Sequence, residues 1–148
     1  MSTQVRPIIP ALGSLWSSLD GFSSVLLRIG VGAFLIPHGV TRMINGLDGT
    51  AKFMAASGIQ PAYALTCYIT GLEIIGGVFL VLGFLTRPVA ALVLGFMLVG
   101  VYVHLTTFGY FWTAKGAEVP LIWSVFTLIL LIKGAGPCSV DQKLGREF

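Results

Sequence analysis

The sequence predicts an all-α fold, a transmembrane four-helix bundle. Its composition is the first reason. Of 148 residues, 55% are hydrophobic and only 10% are charged, against the roughly 25% charged residues that cover a soluble domain. The pattern is the second. The apolar residues gather in four long runs, and a bilayer admits only helices or closed barrels, of which unbroken runs of about 20 residues fit the helix. The length suits a single membrane domain over residues 1–148.

The runs fall at about 22–44, 61–85, 88–107 and 119–136. The first three are long enough for a hydrocarbon core of roughly 30 Å. The fourth is secure only to Lys133, and local thinning with a snorkelling Lys133 lets it span. Pro61, Pro88 and Pro120 each stand at the start of a run, where a missing N–H costs nothing. The link around Thr86-Arg87 is so short that the second and third spans form an antiparallel hairpin. Between the first two lies "GLDGTAKFMAASGIQP". Here Thr50 is expected to cap a short helix that Gly58 ends, with Phe53 and Met54 resting on the membrane surface. The aromatic link "FGYFWTAKGAE" suits the interface.

The net charge of +3 is spread thinly, with no basic run suited to a nucleic-acid backbone, so nucleic acid is set aside. Cys67 and Cys138 form no C-x-x-C pair and no metal-ligand spacing, and no metal site is expected. The N-terminus lacks a short apolar core with a cleavage site, so no removable signal peptide is expected. Arg6, Arg87, Lys133, Lys143 and Arg146 fall on one side of the spans, and Arg42, Lys52 and Lys115 on the other. This bias places both termini in the cytoplasm, for a multi-pass protein of the plasma (inner) membrane.

The informative residues are the ionisable ones inside the runs, which are costly in hydrocarbon and usually mark function. His38 lies sixteen residues after Phe22, and His104 sixteen after Pro88, so both sit near the outer ends of parallel spans. Glu73 lies mid-span on the returning helix, roughly 6 Å inward of His38. Arg42 follows His38 by one turn on the same face, and Glu118 opens the fourth span. His38, Arg42, Glu73, His104 and Glu118 are therefore expected to line a ligand pocket in the outer half, walled by Phe34, Met97 and Trp123. Arg28 lies roughly 9 Å below Glu73 and is expected to reach up to it as a structural ion pair.

Several stretches, read together, carry a family resemblance. They are "LLRIGVGAFLIPHGVTRM", "GLEIIGGVFLVLGFLTRPVAALV", "VYVHLTTFGYF", "GAEVPLIW" and "GAGPCSVD". This ordered set, over Leu26–Asp141, resembles the DoxX family of small four-helix membrane proteins. Arg42 is a departure, standing where lysine is usual. The resemblance implies a bundle in a bacterial or archaeal inner membrane and a link to respiratory or sulfur redox chemistry. Some relatives are subunits of quinone-reducing oxidoreductases, and more distant ones are assembly factors.

The favoured function is a redox-associated subunit with a pocket for a quinone-type or other small ligand. Histidine, arginine and glutamate at one depth supply donors and a proton source for a quinone. The chain carries no C-x-x-C-H haem attachment and no iron–sulfur cysteine set, so any oxidoreductase activity would draw on a protein partner or a further cofactor. A bis-histidine haem between His38 and His104 is disfavoured, because neither histidine has a haem-type flank. The alternatives are a non-enzymatic assembly scaffold, whose polar cluster only holds the bundle, and a small-solute transporter. Besides the lipid bilayer, a protein partner or a second copy of the chain is expected.

Overall fold

The computed structural model describes residues 8–146; Arg6, counted in the charge bias, lies outside them. All regular structure among the described residues is helical. Helix α1 (Pro10–Asn45) opens on Pro10 and carries Pro37 inside it. A short α2 (Asp48–Ala56) follows. Helix α3 (Ala62–Gly71) continues without a break through a π-turn (Leu72–Gly76) into α4 (Gly77–Leu82). Then come α5 (Thr86–Phe108), a 3₁₀ turn (Trp112–Ala114), α6 (Glu118–Lys133) and α7 (Val140–Leu144). The stretches Gly21–Asn45, Ala62–Leu82 and Thr86–Phe108 are long and apolar enough to cross a membrane. At 16 residues, α6 rises only about 24 Å. It is the fourth helix of the bundle, packed along α5 and α1.

The first membrane-length stretch, Gly21–Asn45, agrees with the expected run at about 22–44, and its helix continues N-terminally to Pro10, because polarity alone does not end a helix. One expectation about boundaries is corrected. Helix α2 starts at Asp48, so Thr50 lies inside it and does not cap it.

The core is a column of Val31, Leu35, Leu72, Leu80, Val93 and Leu130. Four buried hydroxyls of the bundle helices are satisfied on their own helix, while that of Thr86 is buried without a hydrogen-bond partner among the described residues. Thr66, Thr70, Ser124 and Thr127 each donate to the carbonyl four residues back, at 2.7–2.8 Å, which removes the cost of an unpaired polar group in hydrocarbon. Small residues bring α1 against the second span, since apolar burial gives little drive for helix association in lipid. A Cβ on Gly32 would overlap the Gly77 carbonyl oxygen, and one on Gly77 would lie 2.9 Å from the Gly32 oxygen.

One end of the bundle carries α2; the other carries the α4–α5 turn and the segment after α6, here the tail end. Gly83 takes a left-handed conformation in that turn (φ 68°), and a Cβ there would overlap Arg28 Nη1. Arg28, 1% exposed, donates from Nη1 to the Ala135 carbonyl (3.0 Å) and from Nη2 to the Cys138 carbonyl (3.1 Å). Asp141 attracts it electrostatically. The Asp141 carboxylate also accepts from the backbone N–H groups of Leu85 (2.9 Å) and Thr86 (3.0 Å), capping α5 from a distant part of the chain.

Arg28 is therefore not paired with Glu73, and the expected structural ion pair is corrected. The reason is side-chain direction. A Cα–Cβ bond leans toward the N-terminus of its helix. On α1 that tilts Arg28 toward the tail end. On the antiparallel second span it tilts Glu73 toward the α2 end, so the two groups lean apart.

Candidate functional site

The same rule brings Arg42 and Glu73 together. Arg42, near the end of α1, leans back down the bundle while Glu73 leans up. The π-turn holds Glu73 where α1 comes close: a Cβ on Gly39 would lie 2.9 Å from Glu73 Cβ and 3.0 Å from the Thr70 oxygen. The result is a two-pronged ion pair, Arg42 Nη1 to Glu73 Oε2 at 2.5 Å and Nη2 to Oε1 at 3.2 Å. Glu73 is 2% exposed and the Arg42 side chain 19%. The fork geometry and charge assistance make this a strong and directional contact. One-turn π segments inside helices recur at functional sites, and this one carries the only acidic residue within the stretches Gly21–Asn45, Ala62–Leu82 and Thr86–Phe108.

The pair forms part of the wall of a cavity of about 430 Å³ at the α2 end, within the range that holds small ligands. His38 and Arg42 reach it from α1, Glu73 from the π-turn and His104 from α5. Phe34, Met97 and Trp123, expected as apolar walls, line it as well. The ring of His38 makes no hydrogen bond among the described residues. His104 is half-buried, and its Nδ1 lies 2.6 Å from the Lys115 carbonyl oxygen. A carbonyl only accepts, so the proton sits on Nδ1, and Nε2 of the neutral ring is an acceptor.

Four of the five expected site residues thus share one cavity. Glu118 does not line it. Its Oε2 accepts from the Trp112 backbone N–H at 3.0 Å, fastening the aromatic loop to the start of α6. Its position at the first turn of a helix makes a partner in the adjoining loop nearer than the bundle interior.

Among the cavity residues missed by the sequence reading are Thr50, Phe53 and Met54 of α2. Phe53 and Met54 were expected on the membrane surface. Instead α2 folds over the α2 end of the bundle and forms its roof. Phe53 stacks on Phe108 with ring centres 6.0 Å apart and lies 6.2 Å from the His104 ring. Their aromatic character was visible, but the side on which α2 would pack was not. Chemically, the cavity joins apolar walls to a fixed carboxylate–guanidinium pair, an uncommitted imidazole and an imidazole acceptor.

Comparisons with known proteins agree with this architecture. The sequence model of the DoxX family matches residues 23–105. An uncharacterized protein of Haemophilus influenzae is 30% identical over 134 residues, covering 82% of this chain and 90% of its own length. The inner membrane protein YqjF of Escherichia coli is 32% identical over 110 residues, covering 71% of this chain and 79% of its own. The inner membrane protein YphA of the same organism is 29% identical over 129 residues, covering 80% and 88%. No solved structure matches. With a family match over more than half its length and four apolar helices in one bundle, this multi-pass membrane protein belongs to the DoxX family.

Proposed function

We propose that the protein is a redox-associated subunit of the inner (plasma) membrane that binds a quinone-type ring in the cavity under α2. The observation that carries the reading is the cavity itself. A polar cluster serving only to lock the helices would be packed solid, whereas His38, Arg42, Glu73 and His104 border about 430 Å³ of shared space. The His38 ring is free to donate to a ligand carbonyl, and the His104 Nε2 lone pair suits a ligand hydroxyl. Arg42 keeps N–H groups that Glu73 does not engage, and Glu73 is placed to pass a proton. Electrons would come from a partner protein or a further cofactor, because the sequence carries no C-x-x-C-H haem attachment and no iron–sulfur cysteine set.

Tryptophan emission tests this directly, since Trp123 lines the cavity while Trp16 and Trp112 are exposed elsewhere. A short-chain quinone should quench the detergent-solubilised protein saturably, and Trp123→Phe should remove the saturable part. His104→Leu should weaken binding about tenfold, the worth of one hydrogen bond of about 1.4 kcal/mol. Linear quenching that is identical in wild type and Trp123→Phe would overturn the proposal.

The relatives named as inner membrane proteins support the membrane assignment, and the charge bias of the loops supports an orientation with both termini in the cytoplasm. Arg87, Lys133, Lys143 and Arg146 lie toward the tail end, against Arg42, Lys52 and Lys115 toward the α2 end. Reporter fusions after Thr86 should read cytoplasmic and fusions after Lys115 external; the reverse pattern would refute this orientation.

A further inference from the structure

Beside the roofed cavity lies a second hollow, of about 350 Å³, between α3 and α5. Its own walls are Leu65 and Tyr68 of α3, with Ala91, Leu92 and Gly95 of α5. The two hollows share Met54, Ile59, Ile69, Phe96 and Val99, so they meet along one wall. The first carries the charged and imidazole groups; the second has the Tyr68 phenol as its one titratable side chain. Leu92, Tyr68 and Val99 are about half exposed, at 51%, 48% and 49%, on the flank of two membrane-length helices, so the second hollow opens sideways toward lipid. Gly95 lies on it with no atom within 4 Å of where its Cβ would stand, which leaves the groove its depth.

From this juxtaposition we infer that the α3–α5 groove holds the hydrocarbon chain of the ligand whose polar ring occupies the roofed cavity. The ligand is then a head-and-chain amphiphile that enters from the bilayer rather than a free water-soluble ring. The inference rests on the proposed ring site. The competing lateral exit, between α1 and α6, is obstructed by Phe34 and Trp123, whose rings meet edge to face with centres 5.5 Å apart. Helix α2 covers the end. The α3–α5 flank is the side on which the wall of the cavity is continuous with an open apolar surface. A chain moving from lipid into this groove exchanges one apolar surrounding for another and gains little by the move. The head therefore selects the ligand and the chain follows it. The expected signature is a defined chain location, not a steep dependence of affinity on chain length.

The test is photolabelling in phospholipid vesicles with a quinone that carries a diazirine on its prenyl chain. Label should appear on Leu65, Tyr68 or Leu92 and be displaced by an excess of a short-chain quinone. Gly95→Leu, whose Cβ has no other atom within 4 Å and whose larger side chain takes up groove space, should lose that label while keeping saturable quenching of Trp123 by the short-chain quinone. Label beside Phe34 and Val119 would overturn the inference. So would groove label that the short-chain competitor does not displace, which would mark ordinary bilayer lipid, or groove label unchanged in Gly95→Leu. In each of these cases intact Trp123 quenching leaves the ring site standing. Absence of that quenching in the wild type instead removes the ring site, and the chain groove with it. Should Gly95→Leu fail to fold, the labelling pattern of the wild type decides.

Discussion

Arg42→Met should destabilise the protein by about 3 kcal/mol, the lower end of the 3–5 kcal/mol seen when one partner of a buried ion pair is removed. The lower end applies because Arg42 keeps 19% of its side-chain surface exposed. Glu73, at 2% exposed, would be left as a carboxylate without a cation in a low-dielectric surrounding. Arg42→Met combined with Glu73→Gln should lose less than the two single changes added together, since the second change removes the orphaned charge. Thermal unfolding of the four proteins in one detergent completes the double-mutant cycle. Strict additivity would mean that the contact carries no coupling. The same cycle run on Arg28 and Glu73 should be additive, because Arg28 answers to carbonyls and to Asp141 at the opposite end.

Asp141→Ala should cost at least about 3 kcal/mol. Its carboxylate accepts two backbone hydrogen bonds at the start of α5, and bonds to a charged group contribute roughly 1.5–3 kcal/mol each. The change also leaves the Leu85 and Thr86 N–H groups without an acceptor and takes a negative charge away from Arg28. Asp141→Asn keeps one oxygen acceptor and turns an amide donor toward the second N–H, so it should fall between wild type and alanine. Thermal unfolding ranks the three proteins, and limited proteolysis should cut the segment after Gly134 first in the alanine variant. Equal stability of all three would show that the cap carries no weight.

These two contacts mark where sequence reasoning succeeds and where it stops. The helices were legible because hydrophobic runs in lipid leave one economical structure. The cavity was largely legible because residue counting along antiparallel spans fixes depth, and His38, Arg42, Glu73 and His104 fall within reach of one another on that count. Counting backbone positions does not fix side-chain direction, which is why Arg28 was matched to Glu73 although the two lean apart. The π-turn was hidden as well: "GLEIIGG" reads as uninterrupted helix. It lies against Gly39 of another helix, a tertiary fact. Asp141 was quoted as part of a family stretch but given no task, since nothing in "GAGPCSVD" announces that the chain folds back onto a turn more than fifty residues earlier.

That fold-back also sets an order of events during synthesis. The acceptors of Arg28 are 107 and 110 residues further along the chain. At about 5–20 residues per second, the ribosome delivers them about 5–20 s after the arginine itself. Through that interval α1 is a helix with an uncompensated cation facing the tail end. The guanidinium can meanwhile be satisfied only by water or lipid headgroups at the nearer surface. Helix α1 therefore begins its life pinned to one leaflet by its own charge. It is free to settle to its final depth only when Ala135 and Cys138 arrive and take over those hydrogen bonds.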